Sequence, residues 1–229
     1  MAKILGIIGG MGPEATVDLY SKIINLSPAE KDQDHLHVII DSYPQIPDRT
    51  AAILRGGESP VAKLTEAAIR LEKAGAEALI MPCNTAHYFL NEVASSVSIP
   101  FISIIDSTIN ELALLPDKPR HVTVMSTSGT KATGLYERAL KKAGYKVEEL
   151  SETEETDLMS CIYDGVKKGH TSEYVPLFEK TVRSLSKRAD VLLAACTELP
   201  LLTAMLKGEK SNIIDPTFAL AKAAVKFAC

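Results

Sequence analysis

The chain has 229 residues, 46% hydrophobic and 24% charged, and its 25 basic and 29 acidic side chains leave a formal net charge of −4. This length and apolar content suit one large domain or two small packed ones with a sizeable core. The mild acidity, the absence of Trp and the 5% aromatic content exclude a basic nucleic-acid surface and a base-stacking platform, and no apolar run approaches the ~18–20 residues of a membrane span.

Met1 to Gly10 carries one lysine and an apolar stretch that ends in Gly-Gly without a small-residue cleavage site, so it reads as a buried first strand rather than a signal segment. Strand-length apolar runs follow in chain order at Ile4–Ile8, Leu36–Ile40, Ala78–Met81, Phe101–Ile105, His121–Met125, Tyr145–Glu149, Val191–Ala195 and Asn212–Ile214. Helical periodicity fills most of the gaps. Pro13 starts a helix after Gly12, and Leu64, Ala67, Ala68, Leu71 and Ala74 form one apolar stripe between Ser59-Pro60, read as N-cap and first turn, and Gly75. One further helix is predicted from about Thr130 to Ala143, closed by Gly144. Asp41–Ser59, rich in Pro and Gly, reads as a long mobile loop, and Ser151–Asp157 as a solvated acidic helix start. Short buried strands alternating with helices predict an α/β protein with mostly parallel sheets, whose site lies beyond the carboxyl ends of the strands.

The chain also repeats itself. Gly12-Pro-Glu-Ala15-Thr16 followed by Leu19-Tyr20 is echoed by Gly129-Thr-Lys-Ala132-Thr133 followed by Leu135-Tyr136, 117 residues later (129 minus 12). Leu79-Ile-Met-Pro-Cys83-Asn-Thr85 is echoed by Leu192-Leu-Ala-Ala-Cys196-Thr197, 113 residues later (196 minus 83). Two echoes in the same order, offset by about half the chain, predict two pseudo-symmetric three-layer α/β domains with a cleft between them. The first domain is expected at 1–98 plus 214–229, and the second at 99–213.

Four cysteines are present, Cys83, Cys161, Cys196 and Cys229, in no zinc-like or disulfide-framework spacing, which points to a reducing, cytoplasmic compartment. Cys161 and Cys229 lie on helical segments and read as small hydrophobes that fill the core. Cys83 and Cys196 each follow a buried strand where a helix begins, a setting that lowers a thiol pKa through the helix dipole. If the halves face each other, so do these two thiols. One thiolate then removes a proton from a carbon centre, and the opposite thiol returns a proton to the other face. This inversion requires no metal or organic cofactor. Backbone N–H groups after each cysteine, the hydroxyls of Thr85 and Thr197 and the amide of Asn84 are candidates to hold a carboxylate that gains enolate character.

Gly9-Gly10-Met11-Gly12-Pro13-Glu14-Ala15-Thr16, Met81-Pro82-Cys83-Asn84-Thr85-Ala86-His87 and Cys196-Thr197-Glu198-Leu199-Pro200 resemble the signatures of the aspartate/glutamate racemase family over essentially the whole chain. The resemblance implies a cofactor-independent, homodimeric enzyme in which Cys83 and Cys196 are the acid/base thiols. It also implies that Arg49, within Pro47-Asp48-Arg49-Thr50, binds the distal substrate carboxylate. Lys167, within Ile162-Tyr163-Asp164-Gly165-Val166-Lys167, is implied as a substrate-contacting lysine. Met11 and Gly12 of the first glycine turn, and their duplicated counterparts Thr127, Ser128, Gly129 and Thr130, are expected to hold the polar atoms of the amino acid. Glutamate racemases usually carry His two residues after the second cysteine, whereas the aspartate branch carries Glu, as Glu198 does here. Glu198 either raises the pKa of the neighbouring thiol or orients the substrate ammonium.

Three other readings compete. Gly10-Met-Gly12-Pro-Glu-Ala15 after a strand, with Asp41 ending the next, fits a dinucleotide fingerprint and an NAD-dependent oxidoreductase, but leaves the paired cysteines unused. A non-catalytic amino-acid-binding module would share the two-lobed cleft, and decarboxylation of a substituted malonate would need one thiol. Cys83 and His87, four residues apart, would suit a nucleophile pair or part of a metal site, although no further ligand cluster accompanies them.

Overall fold

The computed structural model describes residues 2–116, 118–207 and 212–229. Met1, where the N-terminal reading begins, lies outside them, as do Asp117 and residues 208–211 of the expected second domain. In chain order the elements are β1 (Leu5–Gly9), α1 (Pro13–Leu26), β2 (Val38–Ser42), α2 (Arg49–Arg55), α3 (Val61–Lys73), β3 (Ala78–Ile80), α4 (Leu90–Ala94), β4 (Phe101–Ile102) and α5 (Ile104–Ala113). They continue with β5 (His121–Met125), α6 (Ser128–Thr133), α7 (Leu135–Lys142), β6 (Lys146–Val147), α8 (Glu152–Ser160), α9 (Thr171–Leu185), β7 (Val191–Ala194), α10 (Leu199–Met205), β8 (Ile213–Ile214) and α11 (Pro216–Ala228).

The strands form two four-stranded sheets, ordered β2-β1-β3-β4 and β6-β5-β7-β8, and every pairing is parallel. The second order is the first repeated with equivalent strands, so the duplication in the sequence is a duplication of fold. Central strands are apolar without alternation because both faces are covered. Leu5 and Ile7 of β1 face a core shared with Val122 and Val124 of β5, Leu193 of β7, and Leu220 and Ala221 of α11. Ile8 faces the opposite layer with Leu64, Ala67 and Leu71 of α3, and Met125 and Leu192 face Phe178 of α9. One apolar core therefore runs between the two halves, and each half keeps an outer core of its own.

Several boundaries differ from expectation. Phe101–Ile102 pairs with β3 in the first sheet, and Ile213–Ile214 pairs with β7 in the second, so each half keeps its fourth strand and the chain changes sheets between β4 and β5. The helix expected over 130–143 is two, because Gly134 turns left-handed (φ +61°) between α6 and α7. The stretch 41–59 is not a bare loop. Asp48 caps α2 by accepting from the Ala51 N–H at 2.6 Å, and Gly56 ends it in the left-handed region. α3 begins one residue later than expected, with Pro60 as its cap, and Gly75 follows its end at φ +101°. The acidic stretch is the first turn of α8, where Ser151 and Glu154 form a reciprocal capping box.

Candidate active site

The site assembles from the ends of β1, β2, β3, β5 and β7 and from the stretch between α8 and α9. After β1 the chain turns at Gly10, whose φ is +86° and where a Cβ would lie 2.4 Å from the Tyr43 carbonyl carbon. Glycine is the residue that such a turn admits. The Thr16 hydroxyl ties this turn by accepting from the Gly10 N–H at 2.9 Å and donating to the Gly12 carbonyl at 3.0 Å. After β2 the chain reaches Asp48 and Arg49. After β3 it reaches Cys83, Asn84 and Thr85, and after β7 it reaches Cys196, Thr197 and Glu198.

These segments enclose a small buried chamber of about 20 Å³, lined from the first half by Met11, Asp48, Arg49, Thr50, Cys83, Asn84 and Thr85. Thr127, Tyr163, Lys167, Cys196, Thr197 and Glu198 line it from the second half. That space suits about one water. A larger vestibule of about 600 Å³ lies outside, lined by the first glycine turn, including Gly12, and by Arg49, Lys167 and Glu198. Met11, Asp48, Arg49, Lys167 and Glu198 border both spaces.

Both thiols are buried and unbridged. Their surroundings are opposite in charge. Arg49 is buried, and although burial works against its cation, Cys83, Asp48 and Glu198 more than compensate and raise its pKa. Its Nη1 donates to the carbonyls of Ile46 (3.2 Å) and Pro47 (3.0 Å) and its Nη2 to that of Met11 (3.4 Å). Nε has no partner. The guanidinium is thus held from behind by three donated bonds, which leave Nε–H and one Nη2–H unassigned. The Cys196 Sγ–H donates to Glu198 Oε2 at 2.9 Å. Burial, followed by the Glu198 charge, pushes the Cys196 thiol well above its ordinary pKa against the pull of Lys167. The lowering expected from a helix start does not prevail over this burial and charge. Glu198 Oε1 accepts from Lys167 Nζ at 2.5 Å. Burial opposes the Lys167 cation as well, and Glu198 and Cys196 outweigh it and raise its pKa.

The Asn84 Oδ1 accepts from the Tyr136 hydroxyl at 2.6 Å, while its Nδ2 is buried without a partner. Thr85 Oγ1 lies 3.1 Å from Thr127 Oγ1 and 2.7 Å from Thr130 Oγ1, and the Thr197 hydroxyl donates to the Pro82 carbonyl at 3.1 Å. These hydroxyls join the halves.

The remaining predicted residues fall elsewhere. Thr130 sits behind Thr85 and Thr127. Gly129 packs on Thr50, where a Cβ would come within 2.6 Å of the hydroxyl oxygen. Ser128 lines a separate groove on the far side of Thr50 and Tyr163, and its N–H meets the Met159 sulfur. His87 is a bracket rather than a thiol partner or ligand: its Nδ1 is 2.9 Å from the Cys83 carbonyl, and its Nε2 accepts from the Ile104 N–H at 3.1 Å. Burial lowers its pKa to about 4. Asp41, the acid of the dinucleotide reading, is paired with Arg70. Three lining residues were not singled out from sequence, namely Asp48, Thr50 and Tyr163. Asp48 and Thr50 flank Arg49. Tyr163 precedes Lys167 by four residues, in an irregular stretch made of a π-turn (Cys161–Gly165) and a 3₁₀ turn (Val166–Lys168).

Residues 8–224 match the profile of the Asp/Glu/Hydantoin racemase family. The chain belongs to this family. Among its relatives is a broad specificity amino-acid racemase, RacX, from Bacillus subtilis, 29% identical over 97% of this chain and 96% of that protein. A glutamate racemase from Aquifex aeolicus is 29% identical over 84% of this chain and 77% of its own. The structure of an aspartate racemase from Picrophilus torridus superimposes with a TM-score of 0.88 at 33% identity, covering 99% of this chain and 94% of the other. The paired sheets of this chain are thus the two-domain fold of the aspartate/glutamate racemases. No helix among the described residues of this racemase-family chain is long and apolar enough to cross a membrane.

Proposed function

We propose that the chain racemises an acidic amino acid, aspartate foremost, by two-base proton transfer between Cys83 and Cys196. The observation that carries this reading is that the two thiols, at equivalent strand ends of opposite halves, border one chamber. The Cys83 thiolate takes the α-proton from one face, and the electron pair left on Cα spreads into the α-carboxylate. The Cys196 thiol supplies a proton to the other face, and the opposite enantiomer runs the sequence in reverse. Arg49 is the anchor for the side-chain carboxylate through its unused Nε. The unpartnered Asn84 Nδ2 is a donor for the carboxylate that gains enolate charge, where an aimed hydrogen bond gains strength in the transition state. A reducing cytoplasm keeps both thiols available, and the family resemblance makes a homodimer the expected assembly, which sedimentation will test.

The test is proton NMR of L-aspartate and L-glutamate with the reduced protein in D2O, followed by chiral chromatography. The expected result is loss of the α-proton signal with appearance of the D-enantiomer, faster for aspartate. Cys83→Ser and Cys196→Ser are each expected to reduce racemisation at least ~100-fold, the scale of a lost general acid or base. Near-normal racemisation in both variants would refute the reading.

A further inference from the structure

The duplicated frames place the two thiols in matched positions but give them unmatched neighbours. Cys83 has a buried cation beside it, Arg49. Cys196 has a buried anion, Glu198, whose two oxygens are both used: Oε2 accepts the thiol proton at 2.9 Å and Oε1 binds Lys167 at 2.5 Å. Each oxygen therefore already has one partner within the protein. The first half has no acid equivalent to Glu198, since Thr85 holds the matching place. Glu198 and Lys167 also border both the small chamber and the open vestibule, whereas Cys196 borders only the chamber.

We infer that Glu198 is the proton acceptor for Cys196, forming a thiol–carboxylate dyad that Lys167 holds and that exchanges protons with the vestibule. This role rests on the two-base reading above. The balance is simple. Cys196–SH and Glu198–COO⁻ become Cys196–S⁻ and Glu198–COOH by movement of one proton. The thiolate then removes the substrate α-proton while Cys83–SH delivers its own to the opposite face. Glu198–COOH afterwards releases its proton to vestibule water, and Cys83 regains one from solvent. The Glu198 carboxylate brings the single negative charge that the base needs, so redistribution inside the dyad supplies the thiolate without a proton leaving to bulk water. Burial and the Glu198 charge both make ionisation of Cys196 unfavourable, and moving the thiol proton onto Glu198 removes that charge. The titratable groups facing the dyad are Lys167 and Tyr163 from the irregular stretch before α9, and Arg49, Asp48 and Cys83 from the first half.

The test compares the whole enzyme with Glu198→Gln and Glu198→Asp, measuring kcat and KM for both aspartate enantiomers from pH 6 to 10. The Gln variant is neutral at the dyad, so it must lose a proton to bulk solvent before Cys196 becomes a base. We expect its kcat to fall about 100-fold at pH 7 and to recover with rising pH, with KM changed less than about threefold. The Asp variant keeps the charge and should recover part of the neutral-pH rate, which also guards against misfolding of the Gln variant. A Gln variant within threefold of wild type overturns the dyad, as does one with a uniformly low, pH-independent rate. A raised KM with normal kcat would instead make Glu198 an ammonium anchor and also overturns it. Cys196→Ala separates the two levels. If Cys196→Ala is inactive while Glu198→Gln is normal, only the dyad fails; if Cys196→Ala still racemises, the two-base reading fails with it.

Discussion

Asn84 depends on a residue that never meets the chamber. An amide has two ends, and the Tyr136 hydroxyl, reaching across from α7 of the second half, donates to its oxygen and so turns the NH2 group inward. Tyr136 is fully buried, and its hydroxyl is also 3.3 Å from that of Thr108, which donates to the Ile104 carbonyl. Tyr136→Phe leaves the Asn84 oxygen without a partner and the amide free to flip, at a cost of about 1–3 kcal/mol. We expect kcat for aspartate to fall about tenfold with a smaller change in KM, read from initial rates. His87 makes a separate prediction at the same scale. Its folded pKa of about 4 lies below the ordinary value of 6.5, so the unfolded chain binds the extra proton first. The stability that neutral His87 contributes is therefore complete above pH 6.5 and is lost as the pH falls toward 4. About 2 kcal/mol should disappear between pH 7 and pH 5 by linkage. Urea unfolding at the two pH values measures it, and His87→Gln should flatten the dependence in this window.

At the scale of elements, the site hangs on close approaches between short helices. α2 begins with Arg49 and crosses α6 where Gly129 meets Thr50, and a methyl at Gly129 would lie 2.6 Å from the Thr50 hydroxyl oxygen and 2.9 Å from its Cα. Backbone on one side leaves little room to yield, so Gly129→Ala should push α2 away and move Arg49 with it. A drop in kcat/KM of at least about tenfold is expected, since misplacement on the order of 1 Å is enough to cost that much or more, with a lower Tm in a thermal melt. The sequence placed Gly129 among substrate-binding groups because its motif repeats Gly12. The repeat reflects shared fold, and the two glycines serve different ends: Gly12 faces the vestibule while Gly129 lets α2 approach α6. The central strands were legible because buried parallel strands are continuous apolar runs, and the strand-end cysteines were legible because the runs stop there. What escaped was conformation without periodicity. Gly134 looks like any residue inside a helical pattern until its φ is known, and the turns carrying Tyr163 and Lys167 follow α8 without a sequence break. Charge pairing escaped too. Glu198 was visible as a residue, but its hold on Cys196 and Lys167 is a tertiary fact.

The molecule as a whole is closed around its chamber. Thr85 reaches Thr127 and Thr130, Thr197 reaches Pro82, and the Tyr163 hydroxyl donates to Asp48 at 3.2 Å, each bond joining one half to the other. A space of about 20 Å³ admits no dicarboxylic amino acid, so turnover requires opening. Wholesale separation of the halves would expose the core that Leu5, Ile7, Val122, Val124 and Leu193 share, at a cost of roughly 1.5–3 kcal/mol for each large side chain uncovered. The irregular stretch from Cys161 to Lys168 offers a smaller movement. It carries Tyr163 and Lys167, lacks regular α-helical bonding, and ends at Gly169, where φ is +78°. Swinging its Tyr163 and Lys167 side chains away breaks the Tyr163–Asp48 hydrogen bond and the Lys167–Glu198 ion pair while leaving the shared core, and the buried Cys161, Ile162 and Val166, in place. If this movement limits product release, kcat should fall in proportion to solvent viscosity, and α-deuterated aspartate should show a muted isotope effect on kcat. Tyr163→Phe removes the hydroxyl latch, so it should raise KM, weaken the viscosity dependence and unmask the isotope effect. Stopped-flow rates in graded sucrose, with a polymeric viscogen as control, test all three. An unchanged viscosity slope in Tyr163→Phe would place the opening elsewhere, at the Thr85–Thr127 seam between the halves.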